Sequence, residues 1–427
     1  MGAKVRGKFT LPRKIGRFSI GDLLDPNRAQ CQNRIMPNRL GILGGGQLAR
    51  MMALEAHRLG IEVAVCSESP HDPAAQVVRH HHAGKLNDES TLKAFFDSCD
   101  SITFESEFLD ADLIGRLSQN QGTPVFPAPS LMGKIQDRLT QKQLLEEHDL
   151  PTSPWRAVDN SHDAIAAWVG HKNRSVFKKR RFGYDGYGTY IVKSSEDFDH
   201  LIKSVPGPQL NLIAEQYVNF DRELALVLAR DLRGNVFCYP YVETRQKDSR
   251  CLWVKGPIPN SRRMLKLREQ IAEFANQINY VGVMGVELFE TERGLLINEL
   301  APRVHNTGHH SLNSFTVSQF ALHVQAASGL EIDLPQPIMK GFAMWNLLGT
   351  RDQVESSDPD TQLYPERAST AVPPRADTGS AFFHWYGKSQ TRRGRKMGHV
   401  NTVSRDADLA LELAKRMGQK ILRDVNI

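Results

Sequence analysis

The stretch RLGILGGGQLARMMALEAHRLGIEVAVC, Arg39–Cys66, decides the fold class. A short apolar run ends in three glycines, and a helical period follows. Leu48, Met51, Met52, Leu54, Ala56 and Leu59 give that helix one apolar face. Ile61–Cys66 then reads as the buried strand of a parallel sheet. Strand, glycine turn, helix and strand make one βαβ unit, so a parallel α/β domain begins here.

Downstream, DSITFESEF (Asp100–Phe108) reads as a further strand that ends in acids. PVFPAP (Pro124–Pro129) reads as a strand leaving the domain. An N-terminal α/β domain over 39–137 follows. Asp137 is the N-cap candidate of a helix running to Leu150. Residues 175–330 alternate strands, glycine turns and helices, one of them over Ser261–Tyr280, within a second domain of 138–330. The strands include SVFKK, LIAEQY, RELALVLAR, VFCYPYV, GVMGVELFE and GLLINELA. After Leu330 the chain is Pro-rich and less regular. Its last part, 331–427, holds a strand-containing segment (Ala381–Val403) and a helix (Asp406–Met417), so we expect a small β-containing C-terminal domain.

Upstream of Arg39 the pattern stops. The 427 residues carry 54 Lys and Arg against 48 Asp and Glu. Residues 1–38 hold eight of the former and two of the latter, which is the whole excess of +6. The balanced remainder gives no hint of a nucleic-acid face. We read 1–38 as a basic mobile extension; a transit peptide, or a true start at Met36, stays open. No apolar run reaches the ~18 residues of a membrane span. Five scattered cysteines without CxxC argue against a disulfide framework or zinc finger and suit a reducing, cytoplasmic setting.

Four clusters could carry chemistry. GGGQL (Gly44–Leu48) frees amides at a helix N-terminus, which suits an anion, but lacks the later glycine of a dinucleotide turn. A tight packing turn is the plainer reading. RRFGYDGYGTY (Arg180–Tyr190) sets three glycines beside Lys178 and Lys179, a loop able to cover phosphates, or a solvated hairpin. Glu287 and Glu299 lie on consecutive strands, with Asn298 beside the second and Arg303, His305, Asn306, His309 and His310 just after. A hairpin could bring both acids to one face, and oxygen ligands suit Mg²⁺ on phosphates. The basic run from Lys388 to Lys396 is either a solvated face or an anion site. His80–His82 alternate across a strand and read as an exposed run rather than a metal site.

Taken together, GILGGGQLARM, ITFESE, DRLTQKQLL, KKRRFGYDGYG, EQYVNFDRELALV, INELAPRVHNTGHH and HWYGK with GRKMGHV resemble the 5-(carboxyamino)imidazole ribonucleotide synthases, ATP-grasp enzymes of purine synthesis. The resemblance runs in order from about Arg39 to Val403. It implies an N-terminal α/β domain, an ATP-grasp domain, a small C-terminal domain and a homodimer. Arg138 and Lys178 would contact ATP. The loop Gly183, Tyr184, Asp185, Gly186, Tyr187, Gly188 and Thr189 would close over its phosphates. Glu215, Gln216, Tyr217 and Val218 would hold the adenine and ribose end, with Glu223 and Gln246 also at the nucleotide. Glu287, Asn298 and Glu299 would organise Mg²⁺ and the triphosphate, the two acids as metal ligands. Arg303, His305 and Asn306 would orient bicarbonate and its phosphorylated product. Gln47, Glu105, Glu107, Tyr184, Asp185, Lys388 and Arg395 would hold aminoimidazole ribonucleotide, with Asp185 aligning its amine.

Phe182, Tyr187, Thr189 and Gln246 depart from the family's usual residues. The rival readings are another ATP-grasp ligase, such as a formate-dependent glycinamide ribonucleotide transformylase, a nucleotide-binding protein of reduced activity, and a Rossmann oxidoreductase. The GRKMGH tail argues against the first, and the missing GxGxxG argues against the last.

Overall fold

The computed structural model describes residues 39–183, 186–205, 209–247, 249–350, 354–355, 371–375 and 379–425. The expected extension 1–38 and the loop residues Tyr184 and Asp185 lie outside them. The first sheet contains β1 (Arg39–Leu43), α1 (Gln47–Arg58), β2 (Glu62–Ser67), β3 (His80–Ala83), α2 (Glu89–Asp97), β4 (Ser101–Phe104) and α3 (Ala111–Gln121) in chain order. Its strands are parallel, in the order β3-β2-β1-β4. Alternate residues serve two cores: Leu40, Ile42, Val63 and Val65 pack with α1, while Leu43, Ala64 and Cys66 pack with Phe95, Phe96 and Phe104. That two-sided burial is why the strands read as apolar runs.

PVFPAP corrects the sequence reading. Among its residues Val125 alone bridges to Ile102, because Pro124 and Pro127 have no N–H to donate. The chain instead enters an unanticipated helix, α4 (Pro129–Gln136), with Pro129 in its first turn. Helix α5 (Arg138–Glu147) follows, capped as expected by Asp137, which accepts from the Leu139 amide.

A small lobe comes next: β5 (Trp155–Val158), α6 (Ser161–Gly170), β6 (Ser175–Lys179), β7 (Thr189–Val192), α7 (Ser195–Ser204) and β8 (Leu212–Gln216). Its antiparallel sheet, ordered β5-β8-β6-β7, buries Phe177, Leu212 and Ala214 against Ala164, Ala167, Phe198 and Leu201 of the two helices.

The large sheet takes the rest: β9 (Arg222–Arg230), β10 (Val236–Cys238), β11 (Val242–Lys247), β12 (Arg250–Gly256), α8 (Arg262–Gln277), β13 (Gly282–Thr291), β14 (Gly294–Ala301), α9 (Ser311–Ser314), α10 (Gln319–Ala327), β15 (Gly341–Leu348), β16 (Val354–Glu355), β17 (Ala371–Arg375), β18 (Gly379–Trp385), β19 (Gln390–Thr391), β20 (Lys396–Ser404) and α11 (Ala407–Val425). Its order is β14-β13-β9-β11-β12-β15-β20-β18-β17, with β10 on β9; β16 pairs with β19 apart from it. The C-terminal strands therefore extend the central sheet through β12–β15, where Trp253 pairs with Trp345. The expectation of irregular chain after Leu330 missed β15. Phe342 and Met344 face one core while Ala343, Trp345 and Leu347 face another under α11, so no apolar–polar alternation marked the strand.

Helix α10 joins the two sheets. His323 on it accepts from the Val283 amide on β13 (2.9 Å) and bonds Thr103 on β4 (2.7 Å). Among the described residues no helix is long and apolar enough to cross a membrane.

Candidate active site

The hairpin β13–β14 pairs Glu287 directly with Glu299. On the next rung Leu288 faces Ile297, so Asn298 is one extra residue, a bulge. The bulge lets consecutive residues address the same cleft. Asn298 Oδ1 accepts from Lys178 at 3.0 Å, and Glu299 accepts from Arg138 at 3.2 Å. Burial, then the charges of Glu299 and Glu223, push the Glu287 carboxyl up to about 7. Two facing carboxylates are a donor set that a divalent ion would satisfy. Among the described residues no group of three or more His, Cys, Asp or Glu forms a metal cage.

The cations of the cleft are held by the fold. Arg138, at the start of α5, also donates to the carbonyls of Lys179 (3.1 Å) and Gly183 (3.4 Å). A Cβ on Gly183 would lie 2.5 Å from that guanidinium, so a side chain there would displace Arg138. Lys178, at the end of β6, pairs with the buried Glu215 of β8 at 2.7 Å. Burial would raise Glu215, but Lys178 and then Lys142 outweigh it and hold the carboxyl far below its usual range. The Glu215 side chain is thus committed to lysines. Gln216 and Tyr217 donate their amides to Pro154 and Arg174, and the Tyr217 ring is flanked by Arg174 (4.7 Å) and Lys193 (4.3 Å). Val218 follows at the strand's end, half-buried. Glu223 pairs with Thr244 on β11, the strand that carries Gln246, and burial raises its carboxyl. In the glycine loop Phe182 and Tyr187 are exposed, and Gly186 sits against Ser249 at the β11–β12 turn. Gly188 and Thr189 lead into β7, where Thr189 pairs with Lys178.

Arg303, just beyond β14, makes a bidentate ion pair with Glu107, Nη2 lying 3.0 Å from Oε1. Burial raises the Glu107 carboxyl, yet Arg303 outweighs it and holds it below the usual range. Glu105 has a different task. It accepts from the amides of Gly46 (2.5 Å) and Ala49 (3.1 Å), the N-terminus of α1. The anion seat of GGGQL is therefore filled by a carboxylate of this chain. Gly44 is at φ +106°, and a Cβ there would come within 2.6 Å of Glu105. The glycines are thus packed closely on Glu105, as the packing-turn reading expects. Gln47 opens α1, half-buried, beside this seat.

Lys388 reaches the same region from the β18–β20 hairpin. It donates to Lys396 O at 2.8 Å and acts on Glu105 through its charge. The hairpin is docked by Gln76, whose amide donates to Gly387 O at 2.8 Å. Arg395 donates to Gln390 O at 2.9 Å and feels Asp72 of the first domain. His305 lies 3.5 Å from Glu287, and burial, then Arg303 and Lys396, pull its imidazole down to about 3, so it is neutral. Asn306 pairs with Asn346 of β15 (2.8 Å), which also donates to Cys251 O. The structure thus joins Arg138, Lys178, Glu215, Glu287, Asn298, Glu299, Arg303, His305 and Glu107 in one polar seam. Lys388, Glu105 and Gln47 sit at its far end.

Three residues of the seam were missed: Lys142, Gln319 and Asn346. Gln319 clamps the loop after β14, accepting from His305 N (2.9 Å) and donating to His305 O (2.7 Å). Lys142 stood in the quoted DRLTQKQ with nothing in the sequence to mark it as buried.

Behind the seam lies a stack of buried imidazoles. His384 and His399 stack at 4.5 Å, His399 lies 5.0 Å from His309, and His310 stacks on Phe342 at 4.0 Å. Burial pulls His310 to about 3 and His323 and His384 to about 4, and takes His309 and His399 well down. The unfolded chain protonates these groups near 6.5, before the folded one does. Stability is then full above that pH and falls as pH drops from about 6.5 towards 4. Each histidine contributes a slope of about 1.4 kcal/mol per pH unit. Melting temperature should fall steeply between pH 7 and 5; a flat profile there would contradict the burial of the stack.

Residues 37–136 match the ribonucleotide synthetase preATP-grasp domain, 143–320 the ATP-grasp domain, and 343–413 the phosphoribosylaminoimidazole carboxylase C-terminal domain. The chain is 35% identical over 379 residues to N5-carboxyaminoimidazole ribonucleotide synthase of Synechocystis sp., covering 86% of this chain and 92% of that protein. It resembles the solved N5-carboxyaminoimidazole synthetase of Staphylococcus aureus complexed with ADP (TM-score 0.78, 28% identity, 90% and 97% of the two chains). It also resembles the Aspergillus clavatus synthase solved with ADP and 5-aminoimidazole ribonucleotide (TM-score 0.76, 26% identity, 92% and 99%). The likeness spans both sheets and the seam between them, and on it the chain belongs to the N5-carboxyaminoimidazole ribonucleotide synthase family.

Proposed function

We propose that this chain uses ATP and bicarbonate to carboxylate the exocyclic amine of 5-aminoimidazole ribonucleotide, yielding N5-carboxyaminoimidazole ribonucleotide. The observation that carries this reading is the position of Arg303. Its guanidinium pairs with Glu107 and also feels Glu299 at the nucleotide end and Glu105 at the other. A fixed cation between two substrate ends suits a reaction that passes a carboxyl group from one to the other.

In this reading the γ-phosphoryl group of ATP passes to bicarbonate, giving ADP and carboxyphosphate. Carboxyphosphate breaks down to CO₂ and phosphate, and the amine attacks the carbon and loses a proton. Arg138 and Lys178 offset the triphosphate charge, and residues 215–218 border the adenine and ribose. Glu287 and Glu299 would hold Mg²⁺, which supplies further neutralisation of the phosphates when bound. Arg303 stabilises the charge that develops where carboxyl and phosphate meet. Neutral His305 and Asn306 orient bicarbonate by hydrogen bonds. Asp185 aligns the amine and receives its proton. Positioning does most of the work, as in phosphoryl transfer generally. We take the working form to be a cytoplasmic homodimer; the four described cysteines are free thiols, in keeping with a reducing setting.

ADP release should require both the ribonucleotide and bicarbonate. Release supported equally by formate, or independent of the ribonucleotide, would overturn the reading. Lys388 and Arg395 are assigned to the 5′-phosphate, a group that does not react. A charge-assisted bond is worth roughly 1.5–3 kcal/mol, so Lys388→Ala or Arg395→Ala should raise KM for the ribonucleotide about ten- to a hundredfold. KM for ATP should move far less. A rise in KM for ATP alone would reverse the assignment of the two substrates.

A further inference from the structure

Lys142 lies on α5 with 2% of its surface exposed, so it cannot touch a substrate, yet it is surrounded by acceptors from three other segments. Its ammonium donates to Thr152 Oγ1 at 2.6 Å, Ser153 Oγ at 3.3 Å and Asn298 O at 3.3 Å, and stands 3.1 Å from Glu215 Oε2. Thr152 in turn donates to Ile297 O at 2.8 Å. The ammonium therefore sits where α5, the entry to the small lobe, β8 and β14 converge.

The charge count is what gives this position a consequence. Glu215 is one carboxylate between two ammoniums: Oε2 faces Lys142 and accepts from Ser153 (2.5 Å), while Oε1 faces Lys178. With both lysines charged the buried triad is net +1. Lys178 has three N–H donors. Asn298 Oδ1 takes one of them, and the ion pair with Glu215 Oε1 helps fix the direction of the ammonium. Donor capacity remains for a ligand, and Lys178 is the more exposed of the two ammoniums. Without Lys142, Glu215 would have no second cation, Lys178 and Glu215 would form a neutral pair, and the charge offered to the cleft would be quenched.

We propose that Lys142 is a positioning residue for nucleotide binding: by sharing Glu215 it holds Lys178 aimed at the cleft and keeps the triad net positive for a polyphosphate. This rests on the assignment of Lys178 to ATP and goes beyond it, because Lys142 itself meets no ligand.

The test is direct titration of the full chain with ADP, with KM for each substrate measured beside it. Lys142→Met keeps the length of the side chain and removes its charge. ADP affinity should fall about tenfold or more, while KM for the ribonucleotide stays within about twofold. Ser153→Ala removes a bond to the same Glu215 oxygen without emptying the site. It should weaken ADP about two- to fivefold, and it serves if Lys142→Met does not fold. In a Lys178→Met background, Lys142→Met should add little, because its effect is routed through Lys178. Unchanged ADP affinity in Lys142→Met, or in Ser153→Ala where Lys142→Met does not fold, would overturn the proposal. Fully additive losses, or equal losses for both substrates, would overturn it too. If Lys178→Met itself leaves ADP binding intact, the assignment of Lys178 falls first and takes this proposal with it.

Discussion

Glu287→Gln should cut turnover by about a hundredfold or more while leaving the melting temperature unchanged or higher. Loss of an anionic ligand to a phosphate-bound cation removes several kcal/mol of transition-state stabilisation, and about 1.4 kcal/mol is already a factor of ten. The fold loses nothing comparable. Glu287 is half-buried beside Glu299 and Glu223, so its charge is a source of repulsion in the apo protein. Its nearest basic neighbour, His305, is 3.5 Å away and neutral. Glu299→Gln should lose as much activity, with a small loss of stability because Glu299 also holds Arg138. Near-normal turnover of both variants at saturating Mg²⁺ would remove the metal assignment.

Arg303→Met should abolish activity and also destabilise the chain, and the two effects should separate in a double variant. Removing one partner of a buried pair strands the other charge, at a cost of about 3–5 kcal/mol. Here the stranded group is Glu107, whose side chain is 13% exposed. Adding Glu107→Gln should restore most of the lost melting temperature. Activity should stay absent, because the double variant still lacks a cation between the two substrate ends. A double variant that recovers turnover would show that Arg303 is needed for folding alone.

Much of this was legible before any coordinates. The βαβ unit shows because helix and strand periods differ, and the Asp137 cap shows because few side chains can satisfy a first turn. The acid pair shows because a short hairpin fixes which residues face each other. Other features depend on neighbours that sequence does not name. Strand β15 is covered on both faces, so its apolar run carries no period. The sequence does not show that Glu105 accepts the first amides of α1, because that contact joins segments nearly sixty residues apart. Lys142 has the composition of a surface residue and becomes a buried one because a carboxylate some seventy residues on comes to meet it. The continuity of the large sheet from β14 to β17 depends on the pairing of β12 with β15, a contact between distant segments.

The extra residue at Asn298 has a wider meaning for how such a cleft can change. A strand ordinarily alternates, so gaining a second functional group on one side means giving up the neighbouring position or shifting every residue beyond it. One inserted residue avoids both. Ile297 and Leu288 keep their places in the interior, and Glu299 stays opposite Glu287. The cleft still acquires an amide for Lys178. A single-codon insertion is thus enough to add a partner to a working pair of acids without disturbing anything on the other side of the sheet.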